Sequence, residues 1–188
     1  SAIADKSQIF QLIQAIKRGD NVIAEVAPAF VGQFGPLASP EKVRAALRKI
    51  GFKHIYEVAR GADIGAVEEA EEYIKMVPTG KLPFLATSCC PSWIMMAKQQ
   101  FPEIANCISD SMTPMVATAR IIKEKHPSAR VVFIGPCASK KLEAMRADIR
   151  TDVDFVITFE ELMGIFQANG IEFSDLQDDT GFNHGATA

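Results

Sequence analysis

The amino-acid sequence predicts an α/β fold: a parallel β-sheet flanked by helices on both faces. Three observations predict it. Short apolar runs such as Val131-Val132-Phe133-Ile134 are continuous rather than alternating, as in strands covered on both faces. These runs take turns with stretches of helical periodicity, and repeated β-then-α order builds parallel sheets. With 188 residues, 48% hydrophobic and 23% charged, the chain can bury a core as a single domain over residues 1–188.

Each element has its own local reason. Ser7 to Arg18 carries Ile9, Leu12, Ile13 and Ile16 at helical spacing, and Gly19 stops it. Asn21 to Ala27 reads as a strand that Pro28 breaks. Ser39 and Pro40 supply an N-cap and a first-turn proline for a helix ended by Gly51. Lys53 to Ala59 reads as a second strand, and Asp63 to about Val77 as an acidic helix. Leu82 to Leu85 reads as a buried strand, and Trp93 to Phe101 as the helix after it. Thr113-Pro114 starts a helix to about Lys125, and Arg130 to Ile134 is a fully apolar strand. Asp154 to Ile157 is the last strand. Thr158 and Glu161 form a capping box for the helix through Phe166, which Asn169-Gly170 stops. Ser174 to Ala188 is polar and aperiodic, an irregular tail without a closing element, as if the chain were cut from something longer.

Composition narrows the function classes. A net charge of −3 gives no reason to expect a nucleic acid or an anionic membrane as partner. No apolar run has transmembrane length, and there is no signal-peptide pattern. The four cysteines match neither a zinc pattern nor a secreted disulfide framework, so a reducing, cytoplasmic setting is expected. No glycine-rich phosphate loop follows the first strand, which argues against a nucleotide-binding domain.

The chemistry gathers in two stretches, Thr87-Ser88-Cys89-Cys90-Pro91-Ser92-Trp93 and Gly135-Pro136-Cys137-Ala138-Ser139-Lys140-Lys141-Leu142-Glu143. Each places cysteine beside proline at an expected strand end. In a parallel sheet both ends fall on one edge, where ligands bind. Adjacent cysteines do not pair comfortably, so Cys89 and Cys90 are expected as free thiols at a helix N-terminus, where the dipole favours thiolate. Converging thiolates select zinc, copper(I) or iron–sulfur clusters. Two packed small apolar side chains are the plainer reading, but the proline, the strand-to-helix position and Cys137 weigh against it.

Both stretches, with Val26-Ala27-Pro28-Ala29, resemble the iron-only hydrogenases, and the resemblance covers nearly the whole chain. It implies one lobe of a two-lobed catalytic domain. It also implies an organometallic di-iron centre joined through a bridging cysteine to a four-iron cubane ([4Fe-4S]), which interconverts protons and dihydrogen. By this resemblance Cys90 and Cys137 are cubane ligands. Cys89 hands protons to the centre, Lys140 bonds a cyanide, and Ala29, Pro136 and Lys140 line the cofactor. Glu69, Glu72 and Ser109 continue the proton route to solvent.

On a helical wheel Ile64, Val67, Ala70, Ile74 and Val77 form the apolar side of the acidic helix. Glu72 lies roughly opposite as an outer entry, with Glu69 on the flank as an inner relay. Burial near a thiol is expected to raise the pKa of such a glutamate, which suits a relay. Glu68 and Glu71 read as a solvated face.

The family's third signature, with two further cubane cysteines and the bridge, is absent from this chain. Two ligands cannot hold a cubane that needs four, so the fragment alone is expected to be apo and inactive. The implied partners are the missing C-terminal lobe, an iron–sulfur electron-transfer protein or domain, and maturation factors. Gly135 stands where well-known catalytic members have methionine, Met115 where they have glutamine, and Phe30-Val31-Gly32-Gln33 where they have valine-arginine. This fits a divergent or sensory branch. A non-catalytic relative that binds ordinary clusters is the competing reading. Cys107, Trp93 and the Met95-Met96 pair are expected as packing residues, and His54, His126 and His184 as structural or exposed.

Overall fold

The structure is a computed structural model that describes residues 7–181. His184 and the end of the expected tail lie outside them. Four strands form one parallel sheet: β1 (Val22–Val26), β2 (His54–Glu57), β3 (Arg130–Gly135) and β4 (Phe155–Thr158). Their order is β2-β1-β3-β4, with Ile23 opposite His54 and Val131, and Val132 opposite Phe155. The chain leaves β1 toward β2, then crosses back over β1 to reach β3. The sheet therefore has its switch point between the carboxyl ends of β1 and β3, where open α/β sheets form a crevice.

The predicted capping chemistry is present. Helix α1 (Ile9–Lys17) precedes β1, and α2 (Pro40–Ile50) starts with the Ser39 hydroxyl accepting from the Lys42 amide at 3.2 Å. Gly51 ends α2 at φ +123°, a conformation side chains disfavour. Helix α5 (Pro114–Lys125) and helix α7 (Phe159–Ala168) start as expected, α7 with the complete Thr158–Glu161 capping box. Phe34, Phe159 and Phe166 pack edge to face in the core.

Three expectations fail for physical reasons. Leu82 to Leu85 is not a strand of the sheet, and Phe84 is exposed. Pro83 has no amide to donate to a ladder, and β1 already has both neighbours. Among the described residues this segment makes one parallel bridge, Ala86 to Ile108. Second, α3 (Ala59–Met76) starts before Asp63 and turns its apolar stripe outward: Ile64, Val67 and Ile74 are exposed. Its buried side carries Gly61 and Gly65, with Glu69 and Glu72 half-buried along the same face. The glycines let α3 approach α5 closely. A Cβ at Gly61 would come within 2.3 Å of Thr118 Oγ1 and 2.4 Å of the Pro114 carbonyl. Third, Met95 and Met96 on α4 (Pro91–Gln100) are exposed rather than packed in the core. Trp93 is half-buried and holds the preceding loop, its indole N–H donating to the Thr87 carbonyl at 3.2 Å. Cys107 is buried as expected, and His54 is exposed and His126 half-buried, their rings stacked with centroids 4.8 Å apart.

Candidate functional site

The sequence brings two loops to the switch point. Strand β1 ends in Ala27-Pro28 and β3 in Pro136-Cys137, followed by the short helix α6 (Ser139–Ala144). The Cys89-Cys90 loop is not a sheet strand, so other contacts hold it. Lys140 Nζ donates to the Cys89 carbonyl at 3.1 Å, and Glu69 Oε1 accepts from the Ser88 amide at 3.1 Å. Cys90 occupies the N-cap position of α4 with Pro91 at the first helical position. The two stretches converge as the thiol chemistry requires, though by side-chain clasps rather than by a shared sheet edge.

A cavity of about 250 Å³ opens between them, walled by Ala27, Pro28, Cys89, Cys90, Cys137 and Lys140 among others. Pro136, Met115 and Phe133 complete much of the remaining wall. Ala29 lies on the same turn, exposed and outside that wall. A larger cavity of about 420 Å³ lies on the other side of Pro91 and has no cysteine in its wall, so the soft donors Cys89, Cys90 and Cys137 line the smaller one. Among the described residues, no three metal-ligating side chains stand close enough to hold an ion. The thiols fit an iron–sulfur group as part of a larger ligand set.

The electrostatics favour a thiolate at Cys137. Burial opposes ionisation of Cys137, but the Ser139 hydroxyl, 2.7 Å from its sulfur, the neighbouring amides and the Lys140 charge outweigh it. The thiol is held below its ordinary value. Lys140 is buried, and its ammonium is 2.7 Å from Glu143, whose carboxylate is 2% exposed. A pair so removed from water needs both members. Ser139 and Glu143, to which the motif alone assigns no firm role, thus contact Cys137 and Lys140 from outside the cavity wall.

Beside the cavity runs a line of carboxylates and hydroxyls. Ser109 Oγ donates to Glu72 at 2.6 Å, and Ser111 Oγ to Glu69 at 3.2 Å. Ser88 Oγ lies 3.0 Å from Ser111 Oγ, and the Ser111 amide donates to Ser109 Oγ at 3.1 Å. Both glutamates therefore face inward, and Glu72 does not take the outward position that the wheel gives it. Glu68 and Glu71 are exposed as expected. Cys89 is exposed, its sulfur 3.9 Å from Thr87 Oγ1. Sequence reasoning misses Ser88 and Ser111. The run Ser109-Asp110-Ser111 next to the motif-bearing layer is the available signal, and only the fold shows that its hydroxyls point at α3.

Comparisons with known proteins agree with this geometry. The family model described as iron only hydrogenase large subunit, C-terminal domain, matches residues 20–187. Iron hydrogenase 1 of Clostridium pasteurianum is 31% identical over 95% of this chain and 34% of its own length. Protein NAR1 of Arabidopsis thaliana is 25% identical over 95% of this chain and 45% of its own. The solved structure of apo [FeFe]-hydrogenase HydA1 from Chlamydomonas reinhardtii superposes with a TM-score of 0.80 at 27% identity. It covers 97% of this chain and 54% of that one. The chain thus spans about a third to a half of the length of these three proteins. With cysteines from two loops meeting Lys140 at the sheet's switch point, and a family model matching nearly end to end, the chain belongs to the iron-only hydrogenase family, in the C-terminal domain of its large subunit.

Proposed function

We propose that this chain is the first lobe of an iron-only hydrogenase catalytic domain, whose intact parent interconverts protons, electrons and dihydrogen or senses hydrogen by the same chemistry. One observation carries the reading: Cys90 and Cys137, from two separate loops, wall one cavity together with Lys140, which donates to the Cys89 carbonyl. When bound, a four-iron cubane with its di-iron partner supplies the electron-rich metal on which protons are reduced. The residues of this chain hold and feed it. Cys90 and Cys137 would ligate iron, and the surroundings of Cys137 favour the thiolate that ligation needs. Lys140 presents N–H donors to an anionic ligand while Glu143 fixes its position. Cys89 holds the proton nearest the cavity. Glu69 with Ser111, then Ser109 with Glu72, carry it toward solvent, and proton-sharing groups at these distances suit such a relay.

The missing lobe would bring the remaining cysteines, and the parent would work in the cytoplasm with an iron–sulfur electron donor and maturation factors. The relatives include one named Cytosolic iron-sulfur assembly component 3, from Bos taurus, 28% identical over 77% of this chain. That likeness favours a second reading, a non-catalytic parent that binds ordinary clusters. The retained Cys89 and Lys140 argue for the first, since a relay thiol and an anion-binding ammonium have no use in the second.

The test is to mature the full-length parent and record hydrogen exchange together with the infrared region of metal-bound CO and cyanide. Exchange with such bands, and its collapse in Cys89→Ser, is expected. A parent that holds clusters but shows neither bands nor exchange supports the second reading and overturns the first.

A further inference from the structure

Glu25 is a charged residue type in the middle of β1, between Ala24 and Val26, and it is fully buried. Among the described residues, neither of its carboxylate oxygens has a hydrogen-bond partner. Its register neighbours are Tyr56 on β2 and Phe133 on β3, and Phe133 lines the cysteine cavity. The charged groups whose fields reach it are Lys140 and Glu143, both on α6. The buried residues of α5, which packs on β1, carry no charge. An ionised carboxylate without donors in such a place is costly, and the usual outcome is that the group keeps its proton. Burial is the main cause that raises the Glu25 pKa well above the ordinary range; Lys140 opposes it and Glu143 adds to it.

We propose that Glu25 is a positioning residue that acts through Lys140: as a neutral carboxylic acid behind the cavity wall, it keeps the Lys140–Glu143 cluster at zero net charge. If Glu25 gave up its proton, the same cluster would carry one negative charge and repel an anionic group at Lys140. The linkage is reciprocal, so an anion in the cavity holds the proton on Glu25, and that proton comes from solvent. The proposal rests on the reading of the cavity as an anion-holding site, but it is tested on the unloaded chain. A failure of hydrogen chemistry in the parent and a failure here are therefore separate results.

The experiment is isotope-edited infrared spectroscopy of the chain labelled with ¹³C-glutamate. At pH 7 a protonated-carboxyl C=O band is expected in the wild type, and its loss is expected in Glu25→Gln. A second arm reads the coupling. In Glu143→Gln the Lys140 ammonium loses its carboxylate, so Glu25 is expected to ionise and the band to vanish at a pH where the wild type keeps it. A role in packing alone would leave that band in place. The stability profile gives a third readout. Because the folded-state pKa lies above the unfolded one, the contribution is complete below the unfolded value. It falls about tenfold in the folded-to-unfolded ratio per pH unit as the pH rises toward the folded value. Glu25→Gln is expected to remove that slope. A wild type without the band at pH 7, a band unchanged in Glu25→Gln, or a band that survives in Glu143→Gln overturns the proposal. Should Glu143→Gln not fold, Lys140→Met takes its place. The band must then persist to at least the wild-type pH, and its earlier loss overturns the proposal.

Discussion

Glu143→Gln isolates the electrostatic support of the pocket wall. The wild-type pair is 2.7 Å long, with side chains 11% and 2% exposed, and the ammonium also donates to the Cys89 carbonyl. Glutamine keeps the shape and an acceptor oxygen but removes the charge. Breaking one side of a buried pair costs about 3–5 kcal/mol, because the remaining charge is stranded. The lower end, about 3 kcal/mol, is expected here, since Glu25 stands within reach of the same field and ionises to offset part of the loss. For a chain of this size that is a fall in Tm of roughly 6–12 °C. The double variant Lys140→Met with Glu143→Leu removes both charges, and an apolar replacement of a buried pair is neutral to stabilising by about 1–4 kcal/mol. Urea and thermal unfolding of the two variants beside wild type decide it. A Tm within about 2 °C of wild type in Glu143→Gln would mean the ammonium is solvated. A double variant as unstable as the single one would mean packing and not charge holds α6. Either result refutes the account of the wall.

Three further outcomes follow from named contacts. Cys137 ionises below its ordinary value, so iodoacetamide should modify it at lower pH than it does a free cysteine in solution; Ser139→Ala should move its half-reaction pH upward, as read by peptide mass spectrometry. Gly61→Ala, which in an ordinary helix interior stabilises by about 1 kcal/mol, should here destabilise, because the new methyl meets the Pro114 carbonyl and Thr118 Oγ1; a raised Tm would show that α3 and α5 are not in this close contact. Ser111→Ala should lower stability by about 1 kcal/mol through the lost bond to Glu69 and slow proton exchange in the matured parent; an unchanged rate would remove Ser111 from the relay.

How much of this is legible in the sequence depends on what each element uses to hold itself. The strands β1, β3 and β4 and the caps of α2 and α7 are readable because apolar runs and Ser, Thr and Pro at helix starts act locally. The Leu82 segment misleads because an apolar run of four is ambiguous, and Pro83 together with two already paired neighbours of β1 keeps it out of the sheet. The face of α3 misleads because periodicity assumes that apolar side chains seek burial. There the packing surface is made of glycine, and hydrogen bonds from Ser88, Ser109 and Ser111 to the two glutamates replace apolar contact. The cysteines, Lys140, Glu69, Glu72 and Ser109 come from motif and resemblance. Glu25 is visible as a lone charge in an apolar strand, but only its burial without partners gives it meaning.

That α3 packs through its acidic face changes how the relay has to be tested. Glu69 accepts from the Ser88 amide as well as from Ser111, so the carboxylate that would carry a proton also pins the backbone next to Cys89. Any variant that loses activity could do so by loosening the thiol loop. Glutamine separates the two roles, because its carbonyl oxygen still accepts from Ser88 while its amide cannot pass a proton on as a carboxyl does. Glu69→Gln is therefore expected to leave Tm within about 2 °C of wild type, since less than about 1 kcal/mol of bonding changes, and to slow hydrogen exchange in the matured parent. Glu69→Ala is expected to lose both, with the Ser88 amide stranded. Equal exchange in Glu69→Gln and wild type would assign Glu69 to the scaffold alone and leave the proton route to be sought through the Ser88 and Ser111 hydroxyls.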